Sequence, residues 1–289
     1  MQKKGRLTHW VYIGPALAFL LVYQVYPVIH TFILSFMDRY SEKFVGLENY
    51  RYVFTSPVML RAFKNNLLWL VFFTAGTVGL GLIFAILSDR VKFEKMAKSI
   101  IFMPMAISFV GAGVVWKFMY AYKPASADQI GLLNQILVVL GFEPKGWLLQ
   151  APLNNFALIM VGIWIWTGYC MVILSAAYKG IPAELMEAGR VDGANELQLF
   201  WHVVLPELRP ALTVVITTML MNVLKIFDII YVMTNGNYGT EVIANRMFKE
   251  MFQFANTGRA SAIAVVLFVM IIPVMYVNTR QKLQGEGAR

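Results

Sequence analysis

Few side chains in this 289-residue sequence are of a kind that does chemistry, and the most informative lie in apolar surroundings. Asn222, Lys225 and Asp228 interrupt a run of aliphatic residues at spacings of three. Polar groups inside such a run are costly to bury and default to functional candidates. At helical spacing the three would share one face, where Lys225 and Asp228 can pair as an internal brace or stand free in a pathway. Asn222 offers both donor and acceptor, which suits recognition of a hydroxyl or a hydrogen bond between helices. A second apolar run holds Trp164, Trp166, Thr167, Gly168 and Tyr169. Aromatic faces with neighbouring hydroxyls suit the apolar face of a sugar ring. Lipid-facing tryptophan prefers the membrane interface, whereas Trp166 falls near the middle of its run.

Other chemistries are missing. There is no Gly-x-x-x-x-Gly-Lys-Ser/Thr run to cradle nucleotide phosphates. His9, His30 and His202 are too scattered to make a metal pair, and no His-Glu-x-x-His, Cys-x-x-Cys or Gly-x-Ser-x-Gly motif occurs. The lone Cys170 lies within an apolar run and reads as a small packing residue. The chain is therefore expected to be no enzyme and to carry no metal or cofactor of its own.

The elements that must position these residues follow from composition. With 58% hydrophobic and 14% charged residues and a mean hydropathy of +0.61, the sequence is too apolar for a soluble domain. Six stretches match the roughly 20 helical residues that cross about 30 Å of hydrocarbon. They run over about 10–36, 66–87, 99–120, 154–178, 208–233 and 260–279, in a single all-α polytopic membrane domain covering 1–289. The first begins after Lys3, Lys4 and Arg6 but is too long for a signal-peptide core, and reads as a retained span. Gly76, Gly79 and Gly81 in the second predict close helix packing. Arg90, Phe93, Lys95 and Met96 predict a short amphipathic helix before the third, and 130–140 predicts a helix inside the 121–153 connector.

The formal charge of +9 is spread over connectors and helix ends with no basic patch, so nucleic acid is not an expected partner. Basic residues gather in 1–9, 88–98, 179–207 and 280–289, which by the positive-inside rule places both termini in the cytoplasm. The 37–65 connector, with Arg39, Lys43, Arg51, Arg61 and Lys64, runs against that trend.

Between the fourth and fifth spans lies a polar segment, Ile181-Pro182-Ala183-Glu184-Leu185-Met186-Glu187-Ala188-Gly189-Arg190-Val191-Asp192-Gly193-Ala194, continuing to Leu205-Pro206. Pro182 can open a helix and Glu184 and Glu187 favour its N-terminal half. Gly193 breaks it, a second helix is expected over 194–203, and Pro206 and Pro210 open the fifth span. Glu187-Ala188-Gly189, then Gly193, then Val203-Val204-Leu205-Pro206 resembles the Glu-Ala-Ala coupling signature of binding-protein-dependent ABC importer permeases. Gly189 departs from the usual alanine, a change expected to loosen the helix by about 1 kcal/mol. Phe227-Asp228-Ile229-Ile230-Tyr231 to Gly236 and Ala260-Ser261-Ala262-Ile263-Ala264 are similar to the MalF-type carbohydrate permeases. Phe102-Met103-Pro104-Met105-Ala106 to Ala112, with Trp116-Lys117-Phe118 and Gln129 to Asn134, resembles their alpha-glucoside branch, for trehalose, sucrose, maltose or glucosylglycerol.

The resemblance implies a permease of the bacterial inner membrane that pairs with a second, related permease. It also implies a dimer of ATP-binding cassette subunits that carries ATP and Mg, and an extracytoplasmic sugar-binding protein. It assigns coupling to Glu187, Ala188, Gly189, Asp192, Gly193, Ala194 and Pro206, with Glu187 meeting basic groups of the ATPase. It further implies that Tyr169 and Asn222 contact the sugar; Trp166 joins them from its own chemistry and position. A secondary transporter also fits six spans but leaves the 181–206 signature without a use. A permease for glycerol phosphate would favour an arginine inside a span, and no span holds one in its middle.

Overall fold

The computed structural model describes the backbone of residues 3–286 and the side chains of 12–276. Lys3, Lys4, Arg6, Arg280, Lys282 and Arg289, which the orientation argument uses, lie outside the described side chains. Among the described residues the architecture is helical, and the one β-bridge, Met37 with Phe44, closes a turn. Among the described residues four helices are long and apolar enough to cross a membrane: α1 (Tyr12–Leu34), α3 (Pro57–Ser88), α7 (Leu153–Lys179) and α13, whose apolar part is Thr257–Tyr276. Two bent pairs raise the number to six if each is one span: α4 (Glu94–Ala106) with α5 (Phe109–Met119), and α9 (Glu196–Glu207) with α10 (Arg209–Leu224). Shorter helices are α2 (Glu48–Thr55), α6 (Leu132–Val139), α8 (Ala183–Val191), α11 (Asp228–Met233) and α12 (Ile243–Phe248).

Two expected spans are not straight. The third, anticipated over 99–120, bends by 99° between α4 and α5. Pro104 lies in a tight 3-10 turn, Ile107 is extended, and Ser108 caps α5 by accepting from the Gly111 amide at 3.0 Å. The fifth, anticipated as continuous over 208–233, ends its first helix at Leu224; Lys225 and Phe227 leave helical geometry before α11 starts.

Contacts divide the chain into two units, residues 1–60 with 246–269, and residues 61–245 with 270–289. In the first, buried Asn49 donates to the carbonyls of Ser35 (3.0 Å) and Met37 (2.7 Å), pinning the turn after α1. Buried Glu250 accepts from Tyr52 (2.8 Å) and Arg246 (2.6 Å), and the Arg259 guanidinium lies 4.2 Å from the centre of the Tyr52 ring.

The second unit is organised on α7. A Cβ added to Gly81 would stand 2.5 Å from Cys170 Cβ and 3.0 Å from the Met171 nitrogen, so α3 and α7 touch backbone to backbone there. Gly76 admits the Ile163 side chain, while Gly79 faces open space and has no such role. From the α7 side, Gly162 admits the buried rings of Trp69 and Phe73, and Gly168 lies under the backbone of Ile101 and Phe102 at the end of α4. Cys170 is fully buried in this packing, as its apolar neighbourhood requires. In the connector, fully buried Asn134 holds α6 in place through Ala121, Lys145 and the Trp147 indole.

Candidate functional site

The polar segment after α7 folds as an elbow whose geometry is set by two helix caps placed back to back. Pro182 is the N-cap of α8, and Glu184 in the first turn complements the positive helix end. At the other end the Gly193 amide donates to the Arg190 carbonyl (3.1 Å) and the Ala194 amide to the Gly189 carbonyl (3.0 Å). This pair of bonds is a Schellman cap, which needs a left-handed residue, and Gly193 supplies it at φ +85°. Asn195 then opens α9 with a capping box: it accepts from the Gln198 amide at 2.9 Å, and Gln198 accepts from the Asn195 amide at 2.8 Å. The anticipated second helix over 194–203 is thus found over 196–207.

Gly189 has a packing role that its sequence position did not reveal. A Cβ there would lie 2.5 Å from Leu199 Cδ2, so the missing methyl lets buried Leu199 of α9 seat against α8. Gly189, Asp192, Gly193, Ala194, Leu199 and Val203 line a surface recess of about 340 Å³. Glu187, Ala188 and Asp192 are exposed, and Glu187 makes no ion pair among the described residues. Val191 is 87% exposed, with Leu197 and Trp201 also uncovered, an unusual apolar display on a charged projection. Pro206 and Pro210 flank the corner at Leu208, where the chain turns by 70° from α9 into α10.

The second constellation lies deeper along the helices that flank the elbow, at the middle of α7 and near the far end of α10. Phe73 of α3, Phe109 of α5, Trp166 of α7, Asn222 of α10 and the break Lys225–Ile229 enclose a cavity of about 270 Å³. Trp166 stacks on Phe109 with centroids 5.8 Å apart and planes at 21°. Tyr169 does not line the cavity; it meets Trp166 edge to face at 5.7 Å and buttresses that ring. The sequence-level candidates Trp166 and Asn222 are therefore brought together directly, and Tyr169 through Trp166.

The expected Lys225–Asp228 brace is not formed. Helical spacing does not run through 225–228, because Lys225 and Phe227 adopt non-helical angles. No salt bridge joins Lys225 to Asp228 among the described residues, and both instead line the cavity. Unwound backbone at membrane depth persists only where protein buries it or a polar cavity meets it. The wall is thus aromatic on one side and, on the other, an amide, a cation, an anion and open backbone. The lysine and aspartate charges of the lining cancel. Phe73, Phe109 and Phe227 were missed from sequence, since nothing separates them from other phenylalanines in apolar runs. Along α7 from Trp166 to Lys179, and along α10 from Arg209 to Asn222, the two constellations are separated by about 20 Å at 1.5 Å per residue.

Residues 77–282 match the protein family described as binding-protein-dependent transport system inner membrane component. The chain is 59% identical over 279 residues to the osmoprotective compounds uptake permease protein GgtC of Synechocystis, covering 96% of this chain and 100% of that one. It is 46% identical to the alpha-glucoside transport system permease protein AglF of Rhizobium meliloti, covering 96% and 83%. Among solved structures, a chain of a bacterial ABC transporter involved in alginate import superposes with a TM-score of 0.82 over 96% of both chains. At 21% identity that likeness shows the fold.

Proposed function

The chain belongs to the family of binding-protein-dependent transport system inner membrane components, and from that premise we propose that it is a permease subunit importing an alpha-glucoside. The observation that carries the reading is the cavity at the α10–α11 break, with stacked Trp166 and Phe109 facing Asn222, Lys225 and Asp228. A sugar ring presents apolar C–H faces to aromatic rings and hydroxyls to amides and charged groups, which this wall supplies. Its balanced charge suits a neutral solute better than a phosphate. The names of the relatives from Synechocystis and Rhizobium meliloti point the same way.

The chain works with partners on this reading. An extracytoplasmic binding protein delivers the sugar, a second permease completes the pathway, and a pair of ATPase subunits supplies the energy. The elbow is the ATPase contact: its exposed Val191, Leu197 and Trp201 enter a cleft while unpaired Glu187 meets basic groups. Both termini and the elbow then face the cytoplasm. Closure of the ATPase dimer around ATP pushes the elbow, and α7 and α10 carry that displacement about 20 Å to the cavity. The test is ATP hydrolysis by the reconstituted complex with its binding protein across a solute panel. Stimulation by trehalose, sucrose, maltose or glucosylglycerol is expected. Stimulation by glycerol phosphate or amino acids alone would overturn the substrate assignment.

A further inference from the structure

At the elbow end of the second unit lies a charge cluster that neither the elbow nor the cavity uses. Asp89 caps the C-terminus of α3, Glu94 and Lys98 stand on the first two turns of α4, and Ser175 and Lys179 end α7. The three ammonium donors of Lys98 go to Asp89, to Ser175 and to Glu94 at 2.6 Å. Ser175 donates in turn to Asp89 at 3.0 Å, and Lys179 reaches Glu94. Ser175 is 3% exposed, and the Asp89 and Lys98 side chains only 8% and 18%. This is a fully satisfied junction of three helices from three different parts of the chain, buried at Ser175, largely covered at Asp89 and Lys98, and open to solvent at Lys179.

Two of those helices carry aromatic residues of the cavity wall, and the third leads into α5, which carries another. Phe73 is on α3, Phe109 follows α4 across the Pro104 turn, and Trp166 is on α7. Lys179 is also the last residue of α7, joined through Gly180-Ile181-Pro182 to the start of α8. The polar wall, by contrast, continues from α9 through α10. Its ion pair to this block at the elbow end is the Arg90–Glu196 bridge at 3.1 Å, with both side chains more than half exposed, beside apolar packing of Ala211 and Leu212. Exposed ion pairs hold weakly, whereas buried ones resist separation.

We propose that Asp89, Lys98 and Ser175 are positioning residues: they clamp α3, α4 and α7 so that a push on the elbow moves the aromatic wall as one body. The proposal rests on the permease reading. Without the clamp, displacement of α8 is absorbed at the helix ends and ATP is spent without moving sugar.

The test uses the complete complex in proteoliposomes, reading sugar uptake and ATP hydrolysis in the same vesicles. Lys98→Met is expected to lower sugar carried per ATP at least fivefold while hydrolysis changes less than twofold. Lys98→Arg, which keeps the charge and the donors, should stay within twofold of the unaltered protein, as should Arg90→Gln at the exposed bridge. Ser175→Ala, a smaller perturbation, should lower the ratio about twofold and serves if Lys98→Met does not assemble. An unchanged ratio in Lys98→Met, or in Ser175→Ala when that variant serves instead, would overturn the clamp. So would equal loss of uptake and hydrolysis that Lys98→Arg fails to avoid. A substrate-independent readout separates this outcome from failure of the permease reading. Spin labels at exposed positions 95 and 176 should give a single narrow distance, broadened by Lys98→Met; an unbroadened distance would also overturn the clamp.

Discussion

Gly193→Ala isolates the backbone contribution of the elbow. Gly193 sits at φ +85°, and a Cβ built on it meets nothing within 4 Å. The substitution therefore removes no contact and creates no clash; its cost is the left-handed conformation of an L-residue, about 1–2 kcal/mol. That amounts to roughly a 5- to 30-fold shift away from the folded elbow. The alternative backbone loses the Gly193–Arg190 and Ala194–Gly189 bonds that end α8, so the cap and the seat for Leu199 are lost together. The assay is affinity of the ATPase subunits for the permease pair, read by titration in detergent or nanodiscs. A loss of about 5- to 30-fold is expected for Gly193→Ala, and a smaller one for Gly193→Asn, because asparagine reaches this region more readily. Unaltered affinity in the alanine variant, or equal losses for alanine and asparagine, would refute the argument that a left-handed residue sets the elbow.

Other outcomes follow from the same geometry. Gly168→Ala would place a Cβ 2.6 Å from the Ile101 carbonyl and the Phe102 Cα; backbone cannot yield as a side-chain tip can, so about 1–3 kcal/mol of stability should be lost, read as a lower unfolding temperature of the complex. Trp166→Ala should raise the concentration of loaded binding protein needed for half-maximal hydrolysis, while the basal rate in its absence stays within twofold. On acid titration, hydrogen bonding from Lys179 and then Lys98 holds the Glu94 carboxyl at about 2, against 4.5 ordinarily. The Arg190 guanidinium, with Arg90, lowers Glu196. Both glutamates stand at the polar first turns of α4 and α9, and a depressed carboxylate contributes stability that is complete above its ordinary value and is lost as pH falls through the lowered one. Coupling should therefore be flat from pH 6 to 8, with acid weakening of these pairs confined to below about pH 4.5, as checked by uptake per ATP across that range.

The sequence disclosed more of the elbow than of the cavity. Capping residues act locally, so Pro182, Gly193 and the polar run between them could be read directly. The same locality makes Gly189 illegible, because its purpose is to admit Leu199, a residue ten positions away whose side-chain direction only the folded elbow decides. Apolar length marked the spans, and small residues marked the α3–α7 contact at Gly76 and Gly81, while Gly79 carries the same signal and packs against nothing. Extending helical spacing through 222–228 failed because no proline or glycine announces the break at Lys225–Phe227; tertiary packing imposes it. Pro104 stands at the bend between α4 and α5, but the stretch is apolar enough to read as one straight span, and the bend was missed. Trp166 and Asn222 were legible as polar or amphipathic groups out of place, whereas the phenylalanines beside them were not.

The most direct measurement of the central claim is uptake of labelled alpha-glucoside into vesicles holding the assembled complex, with and without Glu187→Lys. The account predicts uptake that requires both ATP and the binding protein, and that falls to background in the variant as the ATPase subunits dissociate. Uptake sustained by an ion gradient without ATP, or a variant that still retains its ATPase and transports sugar, would contradict it.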